Sequence, residues 1–139
     1  MDTARPYRQV IDQIRTAGLR PTRQRMALAR LLFEGGPRHV TAELLHAEAQ
    51  AASIRVSLAT VYNTLHQFTS AGLLREIVVD SQRCYFDTNT GDHHHFFFED
   101  SSELQDIPDG QIAVSGLPDA PSGTAIKTVD VIVRLNNQE

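Results

Sequence analysis

The sequence has one cysteine and no long apolar run, and each scarcity excludes a class of protein. Cys84 is the only cysteine in 139 residues, so an intrachain disulfide is excluded and a reducing cytoplasm is the expected location. No apolar run is long enough to span a bilayer, and the first ten residues lack the apolar core of a signal peptide. We therefore expect a cytoplasmic protein that has no membrane partner.

Lysine is absent from the first 80 residues, and the charges are divided unevenly along the chain. Residues 1–80 hold ten arginines and seven acids, a net charge of +3, whereas residues 81–139 hold three bases and ten acids, a net charge of −7. Arginine pairs with phosphate through two hydrogen bonds, which lysine does not match. The basic front half indicates a polyanion partner, although a chance imbalance on solvated faces would produce the same numbers.

The front half of the chain has the apolar spacing of four helices. The first spans residues 6–17, and the second opens at Thr22. Thr41 is the expected N-cap of the third helix, and Ser57 is that of the fourth, which should stop at Gly72. The third and fourth helices, joined by a short connection, predict a helix-turn-helix.

The expected fourth helix has two different faces. Its apolar stripe consists of Leu58, Val61, Leu65 and Phe68. Its other face, small and uncharged, carries Thr60, Asn63, Thr64 and Gln67, with Tyr62 on the flank. Short polar side chains reach base edges in a DNA major groove, where asparagine can pair with adenine. These features predict a recognition helix; a surface helix with an uncharged face is the alternative.

Two strands are expected after the recognition helix, in residues 73–80 and 82–88. A hairpin in this position makes a winged helix, and it would place Arg83 on the phosphate backbone of DNA. The DNA-binding domain should therefore span residues 1–87, followed by a hinge at residues 88–92.

The remaining residues, 93–139, predict a second domain built on strands. The strand candidates are residues 93–99, 111–116 and 127–135. Three strands make little core alone, so we expect a homodimer, which would also place two recognition helices about one DNA turn apart. The predicted fold class is α+β, an N-terminal winged helix-turn-helix followed by a small α/β dimerisation domain.

Three consecutive histidines, His93, His94 and His95, carry the chemistry of the second half. On a strand, His93 and His95 point to one face, and two such imidazoles can share a metal ion. Asp87 precedes the run and Asp106 follows it, and a mixed imidazole and carboxylate set suits Fe²⁺, Mn²⁺ or Zn²⁺. Neutral imidazoles beside an apolar patch could also bind haem iron. A solvated polar strand end is the alternative.

Five motifs, in this order, resemble the ferric uptake regulator family. They are LRPTRQR from Leu19, HVTAELL from His39, VSLATVYNTL from Val56, AGLL from Ala71 and DHHH from Asp92. Within the family, YFDTN followed by DHHHFFF is most similar to the iron response regulator branch of alpha-proteobacteria. The resemblance implies a homodimeric metal- or haem-responsive repressor, not an enzyme, that binds a double-stranded DNA operator. For the branch it implies control of iron-uptake and haem-metabolism genes.

The resemblance also implies a regulatory site. By position, its metal ligands are His39, Asp87, His93, His95 and Asp106. His39 belongs to the DNA-binding half and the others to the hinge and the dimerisation half, so a bound metal would fix the angle between the recognition helices. From the residue alone, His39 is more simply a histidine that precedes a helix.

Some features of the family are missing. Phe98 and Ser101 stand where the first of the paired CxxC motifs would be, so we predict no structural zinc. The N-terminal Cys-Pro haem motif of the branch is also absent, so a haem response, with a haem-delivering partner, would depend on His93, His94 and His95. Asn63 stands where the family commonly has arginine. This difference is expected to shift the operator preference toward A·T pairs, because asparagine can pair with adenine. The predicted DNA contacts are Arg23, Arg55, Ser57, Thr60, Tyr62, Asn63 and Arg83.

Two other functions fit parts of the sequence. A manganese- or peroxide-sensing repressor of the same family would have a similar aspartate-bearing site, and in a peroxide sensor bound iron would drive the oxidation of a histidine. A small metalloenzyme using His39, His93 and His95 would need a general base or a nucleophile near the ligands, and the sequence shows no such pair. Cys84, on a wing strand, is interpreted as a packed residue, with a thiolate ligand or redox sensor as the alternative.

Overall fold

The computed structural model describes residues 5–138, and their side chains from Arg8 onward. The chain divides after Thr90 into two compact units. The first unit contains α1 (Arg5–Thr16), α2 (Arg23–Phe33), β1 (His39–Val40), α3 (Ala42–Ala51), α4 (Leu58–Ser70), β2 (Arg75–Val78) and β3 (Cys84–Asp87). The second contains β4 (His95–Phe98), β5 (Glu103–Asp106) and β6 (Ile132–Leu135). None of the helices in residues 5–138 has the length and apolar character that crossing a membrane requires.

Three helices of the first unit, α2, α3 and α4, begin at hydroxyl side chains, as predicted. The side-chain oxygens of Thr22, Thr41 and Ser57 accept hydrogen bonds from backbone N–H groups three residues further on. Each cap satisfies a donor that the first helical turn leaves free, and is worth about 1 kcal/mol. The predicted stop of α4 is also confirmed, because Gly72 takes φ +84° and its N–H bonds to the Thr69 carbonyl oxygen.

The core of the first unit lies between the helices and β3. Its fully buried members include Ile14, Leu28, Leu32, Val40, Leu45, Val61, Leu65, Phe68 and Phe86. Two predictions about α4 were wrong. Leu58 is 40% exposed, because it is the first residue of the helix and lies outside the core cluster. Thr64 is buried, because positions 61, 64, 65 and 68 make one helical face.

A three-stranded antiparallel sheet completes the winged helix. The predicted hairpin is present as β2 and β3, and β3 also pairs with β1, giving the order β1-β3-β2. The two-residue β1 was not predicted. Its register sets His39 opposite Asp87 and Val40 opposite Phe86.

The second unit has a three-stranded sheet of order β5-β4-β6, in which β4 runs antiparallel to β5 and parallel to β6. The strand candidate at residues 93–99 is confirmed as β4. The strand predicted at residues 111–116 was wrong: this segment is irregular and mostly exposed, and Gly116 takes φ +74°. The strand predicted at residues 127–135 begins only at Ile132, because the Val131 N–H donates to the His94 side chain instead of the ladder.

Candidate metal centre

Two histidines and one aspartate meet at one end of the β4–β5 pair. The register sets His95 opposite Asp106, and His93 lies two residues before His95, with its ring centroid 4.5 Å from that of His95. Nε2 of each histidine lies 3.2 Å from the same carboxylate oxygen, Oδ1 of Asp106. The donor atoms of the three side chains lie within 4.8 Å of one another. The strand pairing thus converts separated residues into one cluster.

A backbone carbonyl sets which nitrogen of His93 carries the proton. Nδ1 of His93 lies 2.6 Å from the carbonyl oxygen of Gly91, which can only accept a hydrogen bond, so Nδ1 carries the proton and donates it. In the neutral ring the lone pair is then on Nε2, the atom that faces Asp106. A lone pair and a carboxylate oxygen repel each other unless a proton or a cation lies between them. A hydrogen bond from Nδ1–H to a backbone carbonyl, with Nε2 left to face the metal, is the arrangement that metal-binding histidines usually have.

The cluster fits a divalent cation. His95 and His93 are buried, whereas the carboxylate of Asp106 is 41% exposed and leaves a route for the ion. A tetrahedral ion with bonds of about 2.1 Å would separate its donor atoms by about 3.4 Å, close to the nitrogen–oxygen separations of 3.2 Å. These residues could therefore hold Fe²⁺, Mn²⁺ or Zn²⁺, which accept mixed imidazole and carboxylate ligands.

The other two predicted ligands, His39 and Asp87, are neighbours in the first unit. Nε2 of His39 lies 3.2 Å from Oδ2 of Asp87, whose side chain is only 1% exposed. The second oxygen of Asp87 accepts a hydrogen bond of 2.8 Å from the Asn89 N–H. A buried carboxylate held by an imidazole and a backbone N–H is oriented and ready to bind a cation. His39 and Asp87 thus belong to the first unit, and the other three predicted ligands, His93, His95 and Asp106, belong to the second.

His94 is engaged elsewhere. Its Nδ1 accepts a hydrogen bond of 3.1 Å from the Val131 N–H, so the neutral ring carries its proton on Nε2. Neither nitrogen then offers a free lone pair. Of the three residues predicted as haem ligands, His93 and His95 belong to the metal cluster, and His94 ties β4 to the segment before β6.

Most of the predicted DNA contacts lie on the surface of the first unit. The exposed ones are Arg23, Arg55, Ser57, Tyr62 and Asn63. Thr60 is half-buried, and its Oγ1 accepts a hydrogen bond of 2.9 Å from the Ser57 hydroxyl. Gln67 is exposed, but its Oε1 accepts a hydrogen bond of 2.9 Å from Arg25, which ties α2 to α4. No local sequence pattern predicts this hydrogen bond between the two helices.

Arg83 is paired within the wing. Its Nε donates to Oδ2 of Asp80 over 2.8 Å, across the turn between β2 and β3. The side-chain hydrogen bond from Arg83 is the main reason that the pKa of Asp80 falls to about 2, and the backbone N–H of Gln82 contributes to the same shift. Arg83 therefore carries a charge that is already partly balanced, which weakens it as a phosphate ligand.

Cys84 lies half-buried on the wing strand β3. Burial, and secondarily the charge of Glu76, raises the pKa of the Cys84 thiol to about 12. A thiol needs its thiolate form to bind a metal or to react. These surroundings favour the interpretation of Cys84 as a packed residue.

A winged helix followed by a small sheet that bears a histidine and aspartate cluster defines a class of metal-binding, DNA-binding proteins. A model of the ferric uptake regulator family matches residues 16–133, and the chain belongs to this family. Members of the family are metal-responsive transcriptional regulators and not enzymes.

Solved structures support the predicted fold class. The ferric uptake regulator of Pseudomonas aeruginosa with manganese is 25% identical, with a TM-score of 0.71, over 94% of this chain and 98% of that one. The ferric uptake regulator of Vibrio cholerae has a TM-score of 0.72 at 22% identity, over 91% of this chain and 98% of that one, and shows the fold alone. The predicted α+β fold class, with an N-terminal winged helix followed by a second domain, is thus confirmed, although the described residues of the second domain form strands and no helix.

Curated relatives include the peroxide-responsive repressor PerR of Staphylococcus aureus. It is 32% identical over 97 residues, which are 70% of this chain and 65% of that protein. The chain therefore spans just under two thirds of the length of this relative.

Proposed function

We propose that this chain is a metal-responsive transcriptional regulator that binds a double-stranded DNA operator as a homodimer. The single observation that carries this function is the pair of Nε2 atoms, from His93 and His95, that face one Asp106 carboxylate oxygen at 3.2 Å. The cluster follows a winged helix in the chain, and family membership supports the combination of the two.

We further propose that His39 and Asp87 bind the same ion as His93, His95 and Asp106. Asp87 and His93 are separated by only five residues, 88–92. Two sets of ligands on two units would make the ion a clamp that selects one arrangement of the DNA-binding unit over others. A ligand shifts such an equilibrium only by the difference in its affinity for the two states. A site whose ligands come from both units provides that difference.

The DNA surface that we propose is the exposed side of α4, with arginines around it. Tyr62 and Asn63 are exposed on α4, where they would read base edges in the major groove. Arg23 and Arg55 are exposed near the starts of α2 and α4 and would contact phosphates, together with Ser57 and Thr60 at the N-terminus of α4. Arg83 would contribute less, because of its bond to Asp80.

The signal that we favour is iron, through control of iron-uptake and haem-metabolism genes, as the motifs YFDTN and DHHHFFF suggest. The second candidate is a manganese or peroxide sensor, which the likeness to the peroxide-responsive repressor PerR supports. Mass spectrometry after treatment with Fe²⁺ and peroxide separates them. A gained oxygen on His39, His93 or His95 indicates peroxide sensing, and unmodified histidines favour iron or haem.

The test of the function is DNA binding with and without the ion. A duplex would be selected from a randomised pool with Mn²⁺-loaded protein, and its affinity measured for protein free of metal and for protein with Mn²⁺, Fe²⁺, Zn²⁺ or haem. We expect at least one ligand to change the affinity by about tenfold or more, within the usual range of allosteric coupling. Failure to enrich any sequence, or equal affinity in every state, would contradict the proposal.

A further inference from the structure

Three aromatic rings form a cluster next to the surface of the first unit that we propose to bind DNA. Tyr62 and His66 lie one turn apart on α4, with ring centroids 4.7 Å apart and planes tilted by 54°. Phe86, on β3, meets the His66 ring edge to face at 5.4 Å and lies 6.5 Å from the Tyr62 ring. Such tilted and edge-to-face pairs are the arrangements that aromatic rings prefer.

The inner end of this cluster is fixed. Phe86 is fully buried, and its strand is paired on both sides, with Val40 opposite it on β1 and Glu76 opposite it on β2. Glu76 also approaches the partly exposed His66, and its Oε2 lies 3.5 Å from Nδ1 of the ring. The His66 ring therefore packs against a buried aromatic ring on one side and lies near a carboxylate of the wing.

The outer end is free. Tyr62 is 45% exposed although its ring leans on His66, and it lies next to Asn63 on the surface that we propose for reading bases. A partly exposed tyrosine whose ring packs against a neighbouring ring loses little side-chain freedom when it binds a partner. This inference rests on the function proposed above.

We propose that His66 is a positioning residue for sequence recognition, which with Phe86 behind it holds Tyr62 in the orientation that contacts a base. His66 itself does not need to touch the DNA. Removing its ring would leave Tyr62 free to rotate, so that binding to the correct duplex would have to immobilise it. Binding that depends on phosphates alone does not use Tyr62 and would not change.

The test compares His66→Ala, His66→Phe, Tyr62→Ala and the double variant Tyr62→Ala/His66→Ala. Each Mn²⁺-loaded protein is titrated with the duplex selected by the wild type and with a mixed-sequence duplex of equal length. For His66→Ala we expect about a fivefold loss on the selected duplex, the cost of immobilising one side chain, and no loss on the mixed duplex. His66→Phe restores a ring and should recover most of the affinity. In the Tyr62→Ala background, His66→Ala should cost nothing more.

The outcomes separate this inference from the function on which it rests. A selected duplex that wild type and His66→Ala bind equally overturns the positioning role and leaves the function intact. Equal losses on both duplexes, or a loss that persists in the Tyr62→Ala background, also overturn it, because His66 would then act without Tyr62. If the wild type selects no sequence, both proposals fail. Far-UV circular dichroism of each variant shows that it is folded.

Discussion

Replacing Ser57 with alanine should lower the stability of the first unit by removing the cap of the proposed recognition helix. The Ser57 hydroxyl oxygen accepts a hydrogen bond of 3.0 Å from the Thr60 N–H, and its proton goes to Oγ1 of Thr60 over 2.9 Å. Ser57 is exposed, so the substitution leaves no cavity. Losing a serine N-cap costs about 1 kcal/mol, which should lower the melting temperature by roughly 4–8 °C in a unit of this size.

Ser57→Asp is the matched control, because aspartate caps a helix as well as serine does and its charge suits the helix N-terminus. Its melting temperature, followed by far-UV circular dichroism, should therefore equal that of the wild type. The same negative charge should weaken DNA binding by roughly tenfold or more if the N-terminus of α4 faces phosphates. A Ser57→Ala variant that melts like the wild type would refute the capping argument. A Ser57→Asp variant that binds DNA like the wild type would refute the proposed orientation of α4.

Three further predictions concern the core, the thiol and the base-reading surface. Phe68→Ala should cost about 3–5 kcal/mol in urea denaturation, because Phe68 is fully buried, whereas Leu58→Ala should cost less than about 1 kcal/mol. Alkylation of Cys84 at pH 8 should be very slow in the folded protein, since a pKa of about 12 leaves a thiolate fraction of roughly 10⁻⁴. Unfolding in urea should restore rapid alkylation, and rapid labelling of Cys84 without urea would contradict the prediction. Asn63→Ala should weaken binding to the selected duplex about tenfold, with Gln105→Ala, an exposed change in the second unit, as a control that leaves sequence preference unchanged.

Local chemistry explains why the helices could be predicted from the sequence. Thr41 and Ser57 cap their own helices, and Gly72 ends α4 through its own positive φ, so each signal acts within a few residues. The strand β1 has only two residues and exists because β3, more than forty residues later, pairs with it. The strand prediction for residues 111–116 was wrong for the opposite reason. Their composition suits a strand, but within residues 5–138 no other strand pairs with them.

In the candidate site, too, local patterns predict some features and pairing between distant residues decides the others. The two-residue period of a strand predicts that His93 and His95 share one side, and the two rings do lie together although β4 begins only at His95. Only the β4–β5 register shows that Asp106 lies opposite His95. The role of His94 depends on Val131, and no local pattern reports that bond. No local pattern indicates a role for His66, because its partner Phe86 comes from a distant strand.

The most direct test of the proposed metal switch is the Mn²⁺ affinity of the wild type, Asp106→Asn and His39→Ala, measured by electron paramagnetic resonance of the free ion. Glu103→Gln, an exposed change on the same strand as Asp106, is the control. We predict that Asp106→Asn and His39→Ala, one from each unit, both lose about tenfold or more, as changes around metal sites commonly do, and that Glu103→Gln loses nothing. If His39→Ala binds Mn²⁺ like the wild type while Asp106→Asn does not, the two units do not share an ion and the account is contradicted.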